Sequence, residues 1–219
     1  MPRLLFEKTG NAIWISHLDL MRLFQRAFKR ANFPLTHTQG FNPRPSVSIA
    51  LPLSVGVESK CELLDFDLDG CSVASDEIRD KLNAALVDGI RVMTVYENGS
   101  KLKNLAYLDC TVTLEYDSGV SADTQTNIEA LFARPQLIVE KKGKIGITDQ
   151  DLIPMIRKIG VNKLDDKTLV LQALVCCQNP TLNPMQLIAA IERYLPEEKP
   201  DFAKCCRNEI YDTEEKLFR

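Results

Sequence analysis

Two stretches of this chain carry the same order of apolar patterns, and this repetition restricts the possible folds more than any other feature. Each stretch begins with an alternating segment typical of a strand and continues with an amphipathic segment typical of a helix. Two further strands, a second helix and a last strand follow. Two β-α-β-β-α-β units indicate an α+β protein made of two tandem ferredoxin-like halves, each with an antiparallel sheet and helices on one face.

The polar segment NGSKLKNLA, residues 98–106, marks the expected junction between an N-terminal half, 1–100, and a C-terminal half, 101–219. In the first half the patterns predict strands at 3–10, 46–53, 62–69 and 90–97, an extended piece at 12–16, and helices at 17–31 and 75–86. In the second half they predict strands at 107–117, 136–142, 168–177 and 205–212, helices at 123–133, 151–160 and 183–195, and a hairpin turn at 140–146.

The first predicted helix separates an apolar stripe from a cationic face. Ser16 is the expected N-cap, and Asp19 follows three residues later as in a capping box. The apolar stripe recurs at helical spacing and consists of Leu20, Phe24, Ala27, Phe28 and Ala31. The opposite face carries Arg22, Arg26, Lys29 and Arg30. A solvated face usually mixes charges, so this face predicts an anion site, and the planar fork of arginine suits phosphate.

The loop QGFNPRP, residues 39–45, predicts a rigid second wall for that site. Pro43 and Pro45 restrict the backbone around Arg44, which is held extended because it precedes a proline. Gly40 permits a turn with positive φ. Gly40, Phe41 and Arg44 are the expected contacts, since a stiff loop loses little entropy on binding. A connector that only covers a sheet edge is the alternative. The residues expected to brace the loop are Asp19, Pro43, Glu58 and Ser59.

The distribution of charge supports a local affinity for anions. The whole chain has a net charge of −3, yet residues 1–60 hold eight Lys/Arg against three Asp/Glu. Such a chain does not coat nucleic acid indiscriminately, but it can focus a positive field on one face. Few exposed aromatic side chains are expected apart from Phe41, which does not favour a broad base-stacking platform.

The two histidines of the chain, His17 and His37, flank the cationic helix. Two histidines beside bound RNA could cleave it by acid–base catalysis without a metal. They are the candidate catalytic residues of an alternative function, whereas the simpler interpretation is that His17 orients the loop or packs beside Trp14. The sequence contains no P-loop, dinucleotide-binding glycine pattern or metalloprotease motif, and no cofactor is expected.

The seven cysteines argue against a disulfide framework, because their number is odd and the N-terminus has no export signal. Adjacent residues of a strand point to opposite faces, so the pairs at 176–177 and 205–206 are expected to be buried thiols rather than chelators. A metal site shared between the two pairs is the alternative. No apolar run reaches the roughly 18 residues that cross a bilayer, and a cytoplasmic location without membrane contact is expected.

The segment from TGNAIWISHLDLMR through QGFNPRP to LPLSVGVES resembles the start of a radical-SAM-linked bacterial protein family, a domain of unknown function. The matching residues are Ser16, His17, Leu18, Asp19, Arg22, Gly40, Phe41, Pro43, Arg44, Pro52, Leu53, Gly56, Glu58 and Ser59. The chain departs from the family's last motif where Ser54 and Val55 precede Gly56. The resemblance is strong over 3–69 and limited to pattern over 106–212.

In that family the domain stands alone or is joined to a radical-SAM enzyme. The resemblance therefore implies an accessory role beside such an enzyme, with a link to RNA or the ribosome, and it implies no established activity. With the cationic helix and the loop at 37–45, it predicts a non-catalytic accessory protein that binds structured RNA or another anionic partner. Two alternatives are a metal-independent ribonuclease, as in the CRISPR-processing RAMP enzymes, and a protein–protein adaptor that docks an acidic partner.

Overall fold

The computed structural model describes residues 1–70, 73–143 and 146–219. The chain divides into two compact units: unit 1 comprises Met1–Lys103 with Arg219, and unit 2 comprises Asn104–Phe218. Both units are mixed α+β structures whose internal strand pairs are antiparallel, and the described residues form four α-helices. None of the helices in the described part of the chain is long and apolar enough to cross a membrane.

Unit 1 consists of β1 (Arg3–Lys8), α1 (His17–Arg30), β2 (Val47–Ile49), β3 (Glu58–Phe66), α2 (Ser75–Ala85) and β4 (Ile90–Tyr96). The strands lie in the order β4-β1-β3-β2. The predicted apolar stripe of α1 is confirmed, because all five of its residues are buried. The ring of Phe24 lies 4.7 Å from the ring of Phe6, and the ring of Phe28 lies 4.9 Å from that of Phe66. Burial of this stripe leaves the cationic side of α1 in solvent.

The segment before α1 was predicted to be extended, and this prediction is wrong. A 3-10 turn, Gly10–Trp14, occupies it. The buried ammonium of Lys8 donates to the carbonyl oxygens of Ile13 at 3.1 Å and Ile15 at 2.8 Å. Burial lowers the pKa of Lys8. These bonds compact the segment, because a buried cation must be compensated by acceptors that an extended chain would not bring together.

Unit 2 consists of β5 (Leu105–Glu115), α3 (Thr124–Phe132), β6 (Ile138–Gly143), β7 (Gly146–Asp151), β8 (Ile156–Asp165), β9 (Thr168–Cys176), α4 (Met185–Tyr194) and β10 (Phe202–Asp212). Four strands lie in the order β10-β5-β9-β8, and β6 and β7 form a separate antiparallel hairpin. The hairpin predicted at 140–146 agrees with this pairing, although residues 144–145 lie outside the described part of the chain.

The helix predicted at 151–160 is wrong, because the segment passes through a short 3-10 turn and its second half forms the start of β8. Leu152, Ile156 and Ile159 recur at helical spacing, which produced the prediction. In the structure Leu152 is buried beside a short 3-10 turn, Ile153–Met155, and the chain then pairs with β9 from Ile156 onward. Pairing along the neighbouring strand outweighs a helical spacing of apolar residues when the segment also contains Pro154 and Gly160.

The six described cysteines are free thiols. Cys177 and Cys205 are buried, whereas Cys176 and Cys206, which were also predicted to be buried, are partly exposed, because adjacent residues of a strand point to opposite faces. Burial raises the pKa of Cys177 and of Cys205 to about 12. Within 1–70, 73–143 and 146–219 no group of three or more His, Cys, Asp or Glu could hold a metal ion. Cys71 lies outside the described residues.

Candidate functional site

The basic face of α1 consists of Arg22, Arg26 and Lys29, which are exposed and lie at positions i, i+4 and i+7 on one side of the helix. Arg22 forms an ion pair with Asp19 at 3.0 Å. The side chains of Arg26 and Lys29 make no hydrogen bond or ion pair with the part of the chain that the structure describes. Two of these three cations therefore remain available to an external anion.

Arg30 differs from the other cations of α1. Its Nη1 donates to the carbonyl oxygen of Ala85 at 3.3 Å, at the end of α2. One donor of this predicted anion-binding residue thus serves the packing of the two helices, and Arg30 is not included in the basic face.

Asp19 orders the start of α1. The hydroxyl of Ser16 accepts from the Asp19 amide at 3.3 Å and lies 2.7 Å from its carboxylate, which also accepts from Arg22. These bonds, first from Ser16 and then from Arg22, lower the pKa of Asp19. The structure therefore places Asp19 in the helix cap, where its side chain bonds to Ser16 and Arg22 rather than to the loop that it was predicted to brace.

The loop 37–45 is closed at its base by backbone pairing. The amide of Thr38 donates to the carbonyl oxygen of Arg44 at 2.8 Å, and the amide of Arg44 donates to the Thr38 hydroxyl at 3.0 Å. His37 and Pro45 form the next antiparallel bridge. The positive φ predicted for Gly40 is confirmed, with a value of +136°. The closed base holds the tip of the loop away from the sheet.

The tip of this loop presents its side chains to solvent. Phe41 is fully exposed, and Pro43 and Arg44 are exposed as well. The Arg44 side chain makes no hydrogen bond or ion pair with the described residues. A free guanidinium and a bare aromatic ring are thus held three residues apart on one closed loop.

A cavity of about 520 Å³ lies between the last turns of α1 and the base of this loop. Its lining residues are Gln25, Lys29, Asn32, Phe33, Pro34, Leu35, His37 and Pro45. Lys29 therefore belongs to both the basic face and the cavity. The structure brings Lys29 of the helix and His37 of the loop together as lining residues of one cavity.

The structure does not bring His17 into this cavity. His17 is the first residue of α1, and the twelve residues from it to Lys29 span about 18 Å of helix axis. His17 is partly exposed at the opposite end of the helix. The two histidines are therefore placed at different ends of the candidate site.

Glu58 and Ser59 lie at the start of β3. A carboxylate oxygen of Glu58 accepts from the amide of Gly10 at 3.4 Å. The buried hydroxyl of Ser59 accepts from the amide of Cys61 at 3.3 Å. These two bonds thus brace the turn that precedes α1 and the strand itself, and neither of them reaches the loop 37–45.

Sequence reasoning missed a group of exposed apolar residues in unit 1. Trp14 is 67% exposed, Leu18 66% and Val55 52%. Gly56 follows Val55 and lies so close to the Trp14 ring that a Cβ there would be 3.3 Å from it. Besides Phe41, Trp14 in unit 1 and Phe202 in unit 2 are exposed aromatic residues, which agrees with the prediction of few such side chains.

Sequence reasoning also missed the polar lining of the cavity. Gln25 lies one helical turn before Lys29, and Asn32 follows the helix with a positive φ of 59°. The spacing of Gln25 and Lys29 was a usable signal, because residues four apart share a helix face. Asn32 gave no comparable signal, since its position depends on how the helix ends.

The fold and the site define an α+β protein of two units, with an exposed cationic helix and an adjoining closed loop. Residues 2–184 match the family described as an uncharacterized protein conserved in bacteria, DUF2344, and the chain belongs to this family. The match extends well beyond the segment 3–69 in which a family resemblance was strong by motif. No curated protein sequence matches the chain.

The fold is similar to that of solved structures with very different sequences. One is a chain in the crystal structure of a Cbf5-Nop10-Gar1 complex, with a TM-score of 0.51 and 8% identity over 95% of this chain and 48% of that chain. Another is a chain of the archaeal box H/ACA sRNP Nop10-Cbf5 complex, with a TM-score of 0.46 and 9% identity over 94% of this chain and 46% of that chain. This protein spans about half the length of both, and the likeness to the first concerns the fold alone.

Proposed function

We propose that this protein is a non-catalytic accessory protein that binds structured RNA through the basic face of α1 and the loop 37–45. The observation that carries the proposal is that Arg26, Lys29 and Arg44 are exposed and that their side chains make no hydrogen bond or ion pair with the described residues. Exposed cations on a folded surface usually alternate with acids that neutralise them. An uncompensated group in an otherwise acidic chain instead favours a polyanion.

The chemistry of these side chains suits a phosphate backbone. Each arginine offers a planar set of donors that can contact two phosphate oxygens, and each neutralised phosphate releases condensed counterions. Phe41 adds an exposed ring at the loop tip, on which a nucleobase can stack. Affinity for RNA should therefore fall steeply as the salt concentration rises.

The test compares two charge reversals of equal size. Arg22→Glu with Arg26→Glu should weaken binding to a stem-loop RNA by about tenfold or more, because several phosphate contacts are lost. Arg134→Glu with Arg193→Glu changes the net charge equally at two exposed arginines of unit 2 and should leave the affinity unchanged. Fluorescence anisotropy at several salt concentrations measures both.

Equal affinities of the two double variants would contradict the proposal. Binding of polyglutamate with the same salt dependence and the same sensitivity to Arg22 and Arg26 would favour the adaptor alternative, in which an acidic protein occupies the face. The ribonuclease alternative stays a prediction: His17→Ala should then abolish cleavage that persists in EDTA. The placement of His17 and His37 at different ends of the site gives that alternative no support.

We also propose that the partner of this protein is a radical-SAM enzyme, as the family resemblance implies. The exposed apolar residues Trp14, Leu18 and Val55 support a protein partner in general, because solvent-exposed large apolar groups near one another often mark interaction surfaces. Trp14→Ser with Leu18→Ser should abolish co-purification with radical-SAM enzymes of the same organism at low salt and preserve RNA affinity. Absence of any such association with the wild-type protein would refute the partnership.

We further propose that both units are ferredoxin-like domains. The strand order β4-β1-β3-β2 in unit 1 and the order β10-β5-β9-β8 in unit 2 support this assignment, since each unit then contains two split β-α-β connections. The β6-β7 hairpin is an insertion between α3 and β8. An experimental structure in which β2 or β8 pairs with a different strand of its unit would contradict the assignment.

A further inference from the structure

The cavity beside the basic face combines an apolar wall with a small number of polar groups. Its volume of about 520 Å³ falls within the range of roughly 300–1,000 Å³ typical of small-ligand sites. Phe33, Pro34, Leu35 and Pro45 supply apolar surface. The polar lining consists of the amides of Gln25 and Asn32, the ammonium of Lys29 and the imidazole of His37. The described lining includes no carboxylate.

This set of groups fits one nucleotide. A nucleobase has flat apolar faces and an edge of donors and acceptors, and a carboxamide side chain presents one donor and one acceptor that can pair with such an edge. Lys29 lies where the cavity meets the basic face, so an attached phosphate would meet a cation. A purely apolar ligand would leave the amides and the ammonium without partners.

A second cavity, in unit 2, is less suitable for a ligand that carries a phosphate. A cavity of about 460 Å³ in unit 2 is lined by Asp109 and Glu215 together with Lys158. Glu215 already pairs with Lys158 at 3.1 Å, so that cation is neutralised. A phosphate would be repelled by the acids there, and no comparable obstacle exists among the described residues beside Lys29.

We propose that the cavity at the end of α1 binds a single unpaired nucleotide of the RNA, with the base inside and the phosphate at Lys29. This inference rests on the proposed function and narrows its ligand class to RNA with unpaired bases. A base within a duplex is stacked and paired and cannot enter a pocket without leaving the helix. Phe41, fully exposed at the tip of the adjoining loop, can stack a neighbouring unpaired base.

The experiment uses two RNA probes with the same stem. One stem is closed by a loop of unpaired nucleotides, and the other is closed by a flexible linker that has phosphates but no bases. The wild-type protein should bind the first about tenfold more tightly, because the stacking and edge contacts of a base are lost in the second. The salt dependence of the two affinities should be similar, since both probes retain the phosphates.

Gln25→Trp fills the cavity from the exposed side of α1 and should remove this preference while preserving affinity for the linker-closed stem. Gln25→Leu removes the amide with little change of size and should reduce the preference partially. Gln172→Leu, in the second cavity, is the matched control and should change nothing. Thermal unfolding of each variant confirms that the fold is retained.

Photo-crosslinking of a 4-thiouridine in the RNA loop gives a measurement that needs no variant, and the crosslink should map to residues 25–37. Equal, salt-dependent affinities of the wild-type protein for both probes would overturn the nucleotide pocket and leave the proposed RNA binding intact. A crosslink confined to residues outside 25–45 would overturn it as well. Absence of binding to either probe would instead overturn the proposed function itself.

Discussion

The helices that follow the first strand of each unit occupy the same place in the order of elements but present different surfaces to solvent. The sequence of α1 includes four cations, of which three form the basic face, whereas the sequence of α3, TQTNIEALF, includes none. Both helices bury an apolar side. The fold constrains only the buried side of such a helix, so the exposed side is free to acquire a function.

The segments that follow these two helices differ in a related way. In unit 1 a loop closed by Thr38 and Arg44 leads to β2, and in unit 2 the hairpin β6-β7 precedes β8. Each has a glycine with nearly the same backbone conformation: φ is +136° at Gly40 and +135° at Gly146. The fold therefore accepts a different segment after the first helix of each unit. Of the two, the loop 37–45 carries a free arginine and an exposed aromatic ring at its tip, and the β6-β7 hairpin does not.

The largest effect is expected from removing the buried anchor of the basic helix. Phe24→Ala should lower the free energy of unfolding by about 3–5 kcal/mol, because a fully buried ring packed on Phe6 is lost. Leu187→Ala in α4 should cost about 2–5 kcal/mol. Urea denaturation measures both. The affinity of the folded protein for stem-loop RNA should fall only with Phe24→Ala, and an equal fall for Leu187→Ala would erase the distinction between the units.

Gly40 and Gly146 allow a second comparison, in which a smaller loss of stability is expected. Gly40→Ala and Gly146→Ala should each destabilise their segment by about 1–3 kcal/mol, since a Cβ is strained at this φ while neither site has an atom within 4 Å to clash with it. Only Gly40→Ala should weaken RNA binding, because it loosens the loop that holds Arg44. If Gly146→Ala weakened RNA binding as much, the loop would have no special role.

The caps of the two helices allow a third comparison. Ser16→Ala should destabilise α1 by about 1 kcal/mol. Asp123→Ala should cost less, because Asp123 makes no capping hydrogen bond through its side chain. Loss of Ser16 should also raise the pKa of Asp19 toward its ordinary value of 3.8.

The sign of the acid dependence follows from the lowered pKa of Asp19. A carboxylate whose pKa is lower in the folded state stabilises the protein above pH 3.8 and loses that contribution as the pH falls through the folded value. In the Ser16→Ala variant, protonation of Asp19 should therefore cost less stability as the pH falls. NMR titration of the Asp19 carboxyl group in the wild type and in Ser16→Ala tests this directly. Equal pKa values would show that Ser16 does not stabilise the carboxylate.

The smallest effect concerns one cation at a time. Arg26→Gln should reduce the slope of log affinity against log salt by about 0.7–0.9, as expected when one phosphate contact is lost. Arg193→Gln removes an exposed arginine near the end of α4 and should leave the slope unchanged. Anisotropy titrations at four or more salt concentrations resolve the difference. Equal slopes for both variants and the wild type would show that Arg26 contacts no phosphate.

Local patterns predicted α1 well because one continuous segment carries the whole signal. The cap at Ser16, the buried stripe and the exposed cations all follow from helical spacing within 16–31. The strand β8 was missed because its stability comes from pairing with β9, which lies outside the segment 151–160. Tertiary pairing of this kind overrides the periodicity of a short apolar segment.

The site was predicted in part for the same reason. Arg44 was identified because Pro43 and Pro45 restrict the backbone around it, and Gly40 was identified because glycine permits a positive φ. The cavity was not identified, because it depends on how the chain after α1 joins β3: Leu35 forms a bridge with Leu68, and the amide of Thr36 donates to the carbonyl oxygen of Asp67 at 3.0 Å. These contacts connect residues more than thirty positions apart, so the local sequence around either partner does not predict them.

The order of Arg44 and Pro45 has a consequence for the survival of the protein among proteases. Exposed loop tips are where chains are usually nicked, and trypsin-like enzymes cut after arginine. The bond after Arg44 leads into a proline, whose ring and missing N–H make it a poor substrate for such cleavage. The loop can thus expose the Arg44 guanidinium to solvent while the Arg44–Pro45 peptide bond resists cleavage.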